Sequence, residues 1–292
     1  MRILHTSDLH FGRPSRPEQV AALEAFIGAE SLDAIVISGD LSQRTRRSEF
    51  ERASAFVRKC EACAPTLVIP GNHDCAWWSH LLGMGDEYEM FARYREYIRS
   101  DIEPKLRIPG ATIVGVNSSH GIQSFTLTRR PRDLTVVGAI RGRQWERARL
   151  GFSMAPVHDL KVLVTHHNLL RGLTSKRWGL ASRAFGIVAA GNVGADVVCC
   201  GHDHEQRVEE VEAAGRRIIV STAGTLTDRT RGGLPGAWNL IEANERQVSV
   251  AIYEWGGSGF RRAKTATYAR PAAIVKAWPA HRDPTSTSPR PS

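Results

Sequence analysis

Five short clusters in this 292-residue chain carry side chains able to do chemistry: Asp8-Leu9-His10, Gly39-Asp40, Gly71-Asn72-His73-Asp74, His166-His167-Asn168 and Gly201-His202-Asp203-His204. Carboxylate oxygens, an amide carbonyl and neutral imidazoles suit borderline or hard divalent ions such as manganese, iron or zinc. Cysteine is absent from the clusters, which argues against a soft thiolate site. The donors suffice for two ions. One carboxylate can bridge a pair about 3.5–4 Å apart, and such pairs activate water and clamp the oxygens of a phosphoryl displacement. Hydrolysis of a phosphoester is the chemistry this set offers.

Convergence of residues so far apart needs a scaffold. Each cluster falls where a strand-like run ends: the runs are Arg2 to Thr6, Asp33 to Ser38, Thr66 to Pro70, Lys161 to Thr165 and Ala195 to Cys200, with a further run at Thr112 to Asn117. Loops leaving the carboxyl ends of strands in an α/β sheet gather at one edge, so these side chains can meet there. Helical spacing of Val20, Leu23, Phe26 and Ile27 predicts a helix over Pro17 to Glu30. Others are expected over Arg47 to Cys60, Glu87 to Asp101 and Gln144 to Leu150. After Gly201 shorter runs (Arg207 to Val211, Arg217 to Ser221, Gln247 to Tyr253) suggest a mainly antiparallel second sheet packed on the first.

Taken in order, Asp-x-His, Gly-Asp, Gly-Asn-His-Asp, a His after a strand and Gly-His-x-His resemble the calcineurin-like metallophosphoesterase superfamily over roughly Met1 to Tyr253. The resemblance implies an α/β fold: a four-layer αββα sandwich, two mixed β-sheets flanked by helices. It implies two divalent metal ions (manganese, iron or zinc), one held by Asp8, His10 and His204 and the other by Asn72, His166 and His202, with Asp40 bridging. It gives catalytic roles to His73, which contacts the phosphate and protonates the leaving oxygen, and to Asp74, which orients it; a metal-activated hydroxide attacks phosphorus. Between the adjacent His166 and His167, the family pattern selects the first. Two positions depart from that pattern, Asn168 where Pro is frequent and Asp203 where a small or apolar residue is usual. Asp203 is therefore expected to add negative charge near the metals.

The expected organisation is one catalytic domain over 1–265 and a flexible Pro/Ser/Thr/Arg-rich tail over 266–292. Composition is that of an ordinary folded protein, 42% hydrophobic and 24% charged, which excludes collagen-like, coiled-coil and largely disordered classes. No apolar run is long enough to span a membrane. Without a visible signal segment or a disulfide framework, and with five cysteines, a cytoplasmic location is expected. Cys60-Glu61-Ala62-Cys63 resembles half a zinc ribbon but has no second pair, and a helix end accounts for it.

The superfamily cleaves many phosphoesters, so the surroundings must name the substrate. Gly39-Asp40-Leu41-Ser42-Gln43-Arg44-Thr45 lacks the Asp-Arg-Gly of the protein Ser/Thr phosphatases. The chain is closer to bacterial class III cyclic-nucleotide phosphodiesterase-like proteins, which implies a small phosphodiester substrate, 3',5'-cyclic nucleotides included. A DNA-repair nuclease is the alternative, suggested by the opening Ile3-Leu4-His5-Thr6-Ser7-Asp8 and by 39 Lys plus Arg against 30 Asp plus Glu, net +9. Its weakness is the short stretch after Tyr253, so nucleic acid is not the favoured partner. A nucleotide or lipid-precursor pyrophosphatase is a third reading, and a catalytically silent scaffold is disfavoured because no ligand position is missing. Trp77-Trp78 could wall the pocket or pack a loop, and Arg129, Arg130 and Arg132 could reach over the site or face solvent. His5 is expected in the core; His80, His120, His158 and His281 are expected at the surface or in loops.

Overall fold

The computed structural model describes residues 1–84, 86–123 and 134–270. In chain order the strands are β1 (Arg2–Thr6), β2 (Ala34–Ile37), β3 (Thr66–Val68), β4 (Lys105–Ile108), β5 (Ala111–Val116), β6 (Leu160–Thr165), β7 (Val197–Cys200), β8 (Arg207–Ala213), β9 (Arg216–Thr222), β10 (Ala237–Ala243), β11 (Gln247–Trp255) and β12 (Phe260–Ala269). The helices are α1 (Pro17–Ala29), α2 (Arg47–Cys63), α3 (Ala92–Tyr97), α4 (Gly142–Ser153) and α5 (Phe185–Val193).

Two six-stranded mixed sheets result, ordered β12-β11-β10-β1-β2-β3 and β4-β5-β6-β7-β9-β8. The central strands β1, β2, β3, β5, β6 and β7 are buried on both faces and are mostly apolar, whereas β4, β8 and β12 expose one side. In β2, Ala34 and Val36 point into the layer between the sheets, beside Val162, Val164 and Val197. Ile35 and Ile37 point the other way, against Leu23 and Ile27 of α1 and Phe50 and Phe56 of α2. Leu163 and Val198 of the other sheet turn outward onto Phe152 of α4 and Ile187 of α5. A two-residue side-chain period thus feeds three apolar layers, and those layers separate four structural ones. The four-layer αββα sandwich is the observed architecture.

Some local expectations change. The strands after Gly201 do not build a sheet of their own: β8 and β9 join the sheet of β7, and β10 to β12 extend the sheet of β1. The helix expected over Glu87 to Asp101 is a 3-10 turn, Glu89–Phe91, followed by the short α3. Strand β12 crosses the expected domain boundary at 265/266. The remainder of the expected tail and the Arg129, Arg130 and Arg132 cluster lie outside the described residues. No described helix is long and apolar enough to cross a membrane.

Candidate metal centre

The parallel triplets β1-β2-β3 and β5-β6-β7 end at the same edge of the sandwich, and the loops leaving β1, β2, β3, β6 and β7 carry the five clusters there. Backbone bonds lock the loops together: Asp8 N–H donates to Gly39 O (3.0 Å), His10 N–H to Asp40 O (2.9 Å) and Gly201 N–H to His166 O (2.9 Å). Close approach demands glycine at two points. A Cβ on Gly71 would collide with the Asp40 carboxylate, and one on Gly201 with Ser7 and the Asp8 carboxylate. Asp8, His10, Asp40, His202 and His204 all have positive φ, a costly conformation for residues with a Cβ and one that gathers at functional sites.

These constraints aim donors inward. Backbone amides hold one oxygen of each carboxylate, His202 N–H on Asp8 Oδ2 (2.9 Å) and His73 N–H on Asp40 Oδ1 (2.8 Å). The other oxygens face imidazoles. Asp8 Oδ1 lies 3.1 Å from His204 Nε2, and His204 Nε2 lies 3.0 Å from His10 Nε2. Asp40 Oδ2 stands between two groups, 3.6 Å from His10 Nε2 and 3.4 Å from His166 Nε2. On the far side Asn72 Oδ1 is 3.1 Å from both His166 Nε2 and His202 Nδ1. Carbonyls fix two of the rings: His166 Nδ1 donates to Ser38 O (2.9 Å) and His204 Nδ1 to Arg229 O (2.6 Å), which turns each Nε2 inward as a lone pair.

A divalent ion fits this arrangement. Donors about 2.1 Å from an ion sit about 3.0–3.4 Å apart at octahedral to tetrahedral angles; most separations here fall in that range, and His10 Nε2 stands slightly farther, 3.6 Å from Asp40 Oδ2 and 3.7 Å from Asp8 Oδ1. Asp8 Oδ1 is buried without a hydrogen-bonding partner, and ring nitrogens oppose one another where both cannot donate. The donor atoms of Asp8, His10, Asp40 and His204 all lie within 4.8 Å of one another, as do those of His166, His167 and His202. His167 belongs to the second group only by proximity. Its Nε2 donates to Val136 O (2.9 Å) and its Nδ1 meets the Ser118 hydroxyl (2.8 Å), so both ring nitrogens are engaged, whereas His166 Nε2 faces Asn72 and Asp40.

Charge tells the same story. Burial by itself raises a carboxyl pKa. At Asp8 it is outweighed by His204, His10 and His166, and at Asp40 by His166, His73 and His10, so both carboxyls are held well below their usual range. Burial also opposes charge on the imidazoles and takes His10 down to about 4 and His202 to about 3. His166 goes the other way, up to about 9, because Asp40 and then Asp8 outweigh burial. No Lys or Arg pairs with either carboxylate among the described residues; in the absence of an ion they draw a proton onto His166, and a bound cation would displace that proton and free Nε2 as a ligand.

Residues 1–206 match the family model described as calcineurin-like phosphoesterase. The chain belongs to this family. Its fold is shared with PhoD (TM-score 0.67, 10% identity, 92% of this chain and 70% of that one). It is also shared with purple acid phosphatase PPD1 from yellow lupin seeds (TM-score 0.66, 10% identity, 92% and 54%). One component of the nuclease SbcCD from Staphylococcus saprophyticus is 31% identical over 114 residues, 35% of this chain. That match spans 29% of the relative's length.

The calcineurin-like site also differs from expectation. Asp74 makes no hydrogen bond to the His73 ring: its buried carboxylate accepts N–H bonds from Leu41 (3.0 Å), Ser42 (2.7 Å) and Gly71 (2.9 Å). The His73 ring is oriented by the Gln43 carbonyl, 2.8 Å from Nδ1, and stands edge-on to His10 with centroids 4.8 Å apart. Asp203 accepts a hydrogen bond from Asn168 Nδ2 (2.8 Å), so the two departures from the family pattern pair with each other. Trp77 is partly buried and packs against the core that faces α1 and α2, whereas Trp78 is 60% exposed. His5 is buried as expected, between Ser221 and Ser38. His120 lies in the loop after β5 yet is buried rather than at the surface, 3.2 Å from Gln144 Oε1.

Proposed function

We propose that the chain is a metal-dependent phosphodiesterase with a two-ion centre, acting on small phosphodiesters, 3',5'-cyclic nucleotides among the candidates. One observation carries this reading: Asp40 Oδ2 stands within reach of both His10 and His166, the position a bridging ligand needs, while Asp8 Oδ1 makes no hydrogen bond and faces His204 and His10. Asp8, His10 and His204 would hold one ion and Asn72, His166 and His202 the other, with manganese, iron or zinc suited to these donors. When bound, such ions lower the pKa of water and neutralise charge on a transferring phosphoryl group. The chain's own part is positional. Asp40 keeps the two donor groups together, and His73, its Nδ1 committed to Gln43 O, presents Nε2 to exchange a proton with the leaving oxygen. Asp74 ties the Asp40 loop to the Asn72 loop. All five cysteines are free thiols, which supports a reducing, cytoplasmic setting.

The kinship with a nuclease component, together with the net charge of +9, favours a second reading, cleavage of DNA. Turnover of bis(p-nitrophenyl) phosphate should vanish on chelation and return with manganese or a similar ion. Undiminished turnover after verified metal removal overturns the metal mechanism. A panel of cyclic nucleotides, monoesters, pyrophosphates and DNA ends ranks the substrates: salt-sensitive preference for DNA ends selects the second reading.

A further inference from the structure

Beside the metal centre lies a basin of about 520 Å³ lined by Arg13, Pro14, Gln43, Arg44, Arg46, Glu49 and Arg229. Its arginines come from the loops that carry the candidate ligands. Arg13 follows His10, Arg44 and Arg46 follow Asp40, and Arg229 follows His204. Backbone pairing fixes those loops to each other. Phe11 bridges Ser42 in parallel, and Ser15 bridges Thr227 antiparallel. The basin shares a wall with the centre, because Gln43 O is 2.8 Å from His73 Nδ1 and Arg229 O is 2.6 Å from His204 Nδ1.

The charges in the basin are not spent on the fold. Among the described residues, the Arg13 and Arg44 side chains make no hydrogen bond or ion pair, and Arg229 directs Nη1 to a neutral acceptor, Gln43 Oε1 (2.9 Å). The one carboxylate present, Glu49, is engaged by its Oε2 with the backbone N–H groups of Gln43 (3.2 Å), Arg44 (2.8 Å) and Arg46 (3.2 Å). Four arginines therefore line the basin with one carboxylate that is already hydrogen-bonded, and in such a concave site like charges repel unless an anion joins them. Guanidinium groups pair with phosphate through parallel N–H bonds, so phosphate is the matching anion.

We propose that the basin is a subsite for a second phosphate of the substrate, held while the first is at the metal centre. The inference rests on the phosphodiesterase reading and narrows it. A cyclic mononucleotide has a single phosphate and leaves the basin unfilled, whereas a linear substrate with two or more phosphates fills both places. The second phosphate comes either from the next linkage of a nucleic-acid strand or from a nucleoside polyphosphate.

The test compares the dinucleotide d(TpT) with the same molecule bearing a 5'-phosphate, pd(TpT), using full-length protein with manganese. The ratio of kcat/KM for pd(TpT) to that for d(TpT) should be about tenfold, the worth of one charge-assisted pair, and R13A/R44A should bring it near one. The double lysine variant R13K/R44K, which keeps the charge, should retain most of the preference. Because a ratio is read, a general loss of activity in a variant does not count. Binding of fluorescent pd(TpT) in chelator, followed by anisotropy, makes the same comparison without turnover. It should weaken about tenfold in R13A/R44A and more steeply with salt in the wild type. Preference that grows with oligothymidylate length assigns the subsite to a strand, and preference for a dinucleoside triphosphate assigns it to polyphosphates. A wild-type ratio near one, or equal pd(TpT) binding by wild type and R13A/R44A, overturns the subsite. Absence of turnover on every diester with intact, Arg-dependent binding overturns the phosphodiesterase reading instead.

Discussion

Asp74 is where the family-derived role and the observed contacts part most clearly, and Asp74→Ala separates them. Its carboxylate is 1% exposed and takes three backbone N–H bonds at 2.7–3.0 Å, two from the Asp40 loop and one from Gly71. Alanine abandons all three. Each buried donor left without a partner costs about 1–3 kcal/mol, so the gross loss is about 3–9 kcal/mol. Part is returned, because burial and the neighbouring Asp40 charge already push the Asp74 carboxyl up to about 6, and alanine removes that strain. The net expectation is a destabilisation near the lower bound, about 3 kcal/mol, with Asp74→Asn in between because its amide keeps one acceptor oxygen. Urea unfolding gives the stability and calorimetric titration with manganese gives the affinity. Both should fall together, since the same bonds set the spacing of Asp40 and Asn72. A variant within about 1 kcal/mol of the wild type that binds manganese normally and loses only kcat would refute the clamp and restore the role of orienting His73.

Three further outcomes follow from the same geometry. Asp40→Ala should lose ions from both donor groups, so metal analysis after dialysis against manganese falls well below the wild-type content; full occupancy contradicts a bridging role. Native thiol titration with an aromatic disulfide should show one fast thiol, the exposed Cys63. Burial pushes Cys60 and Cys200 up to about 12 and raises Cys75 and Cys199 as well, which suppresses the thiolate; a second fast thiol contradicts the packing. Glu87 is drawn down from 4.5 to about 2, chiefly by its bond to His120 and then by Arg141. It therefore adds stability above its ordinary pKa that is lost as pH falls towards 2. Glu87→Gln should flatten that acid limb by less than about 1 kcal/mol, because the carboxylate is over a third exposed; an unchanged limb refutes the coupling.

The first half of the fold was legible because β1, α1, β2, α2 and β3 obey local rules: β-branched runs buried on both faces alternate with one amphipathic stripe each. The partition of the later strands was not. The run of β8 announces itself whereas β10, Ala-Trp-Asn-Leu-Ile-Glu-Ala, is not among the runs the sequence suggests, and both are placed by pairing across the chain, β8 to β9 beside β7 and β10 to β1. Strand β4, Lys-Leu-Arg-Ile on a sheet edge with its two basic residues exposed, is too short an apolar pattern to announce itself. Helix α5 contains two glycines, which lower its intrinsic propensity below what its buried face regains by packing.

Legibility of the site divides the same way. Residue type and spacing bring the seven expected ligand positions to one sheet edge, because the parallel strands that precede them dictate where those loops end. What the pattern did not reveal is pairing among the residues behind them. Asn168 and Asp203 each look like a lone departure from the family, and a lone Asp beside two ligand histidines reads as extra charge on the centre. Side by side they are one contact, with Asn168 Nδ2 on Asp203 Oδ2, while Asn168 Oδ1 accepts the Leu170 N–H at 2.9 Å. Proline could supply neither bond, and without Asn168 the Asp203 carboxylate would be a buried acceptor without that donor. In this chain the two positions act as one contact, and a departure read one residue at a time is mistaken for a perturbation when its partner sits beside it.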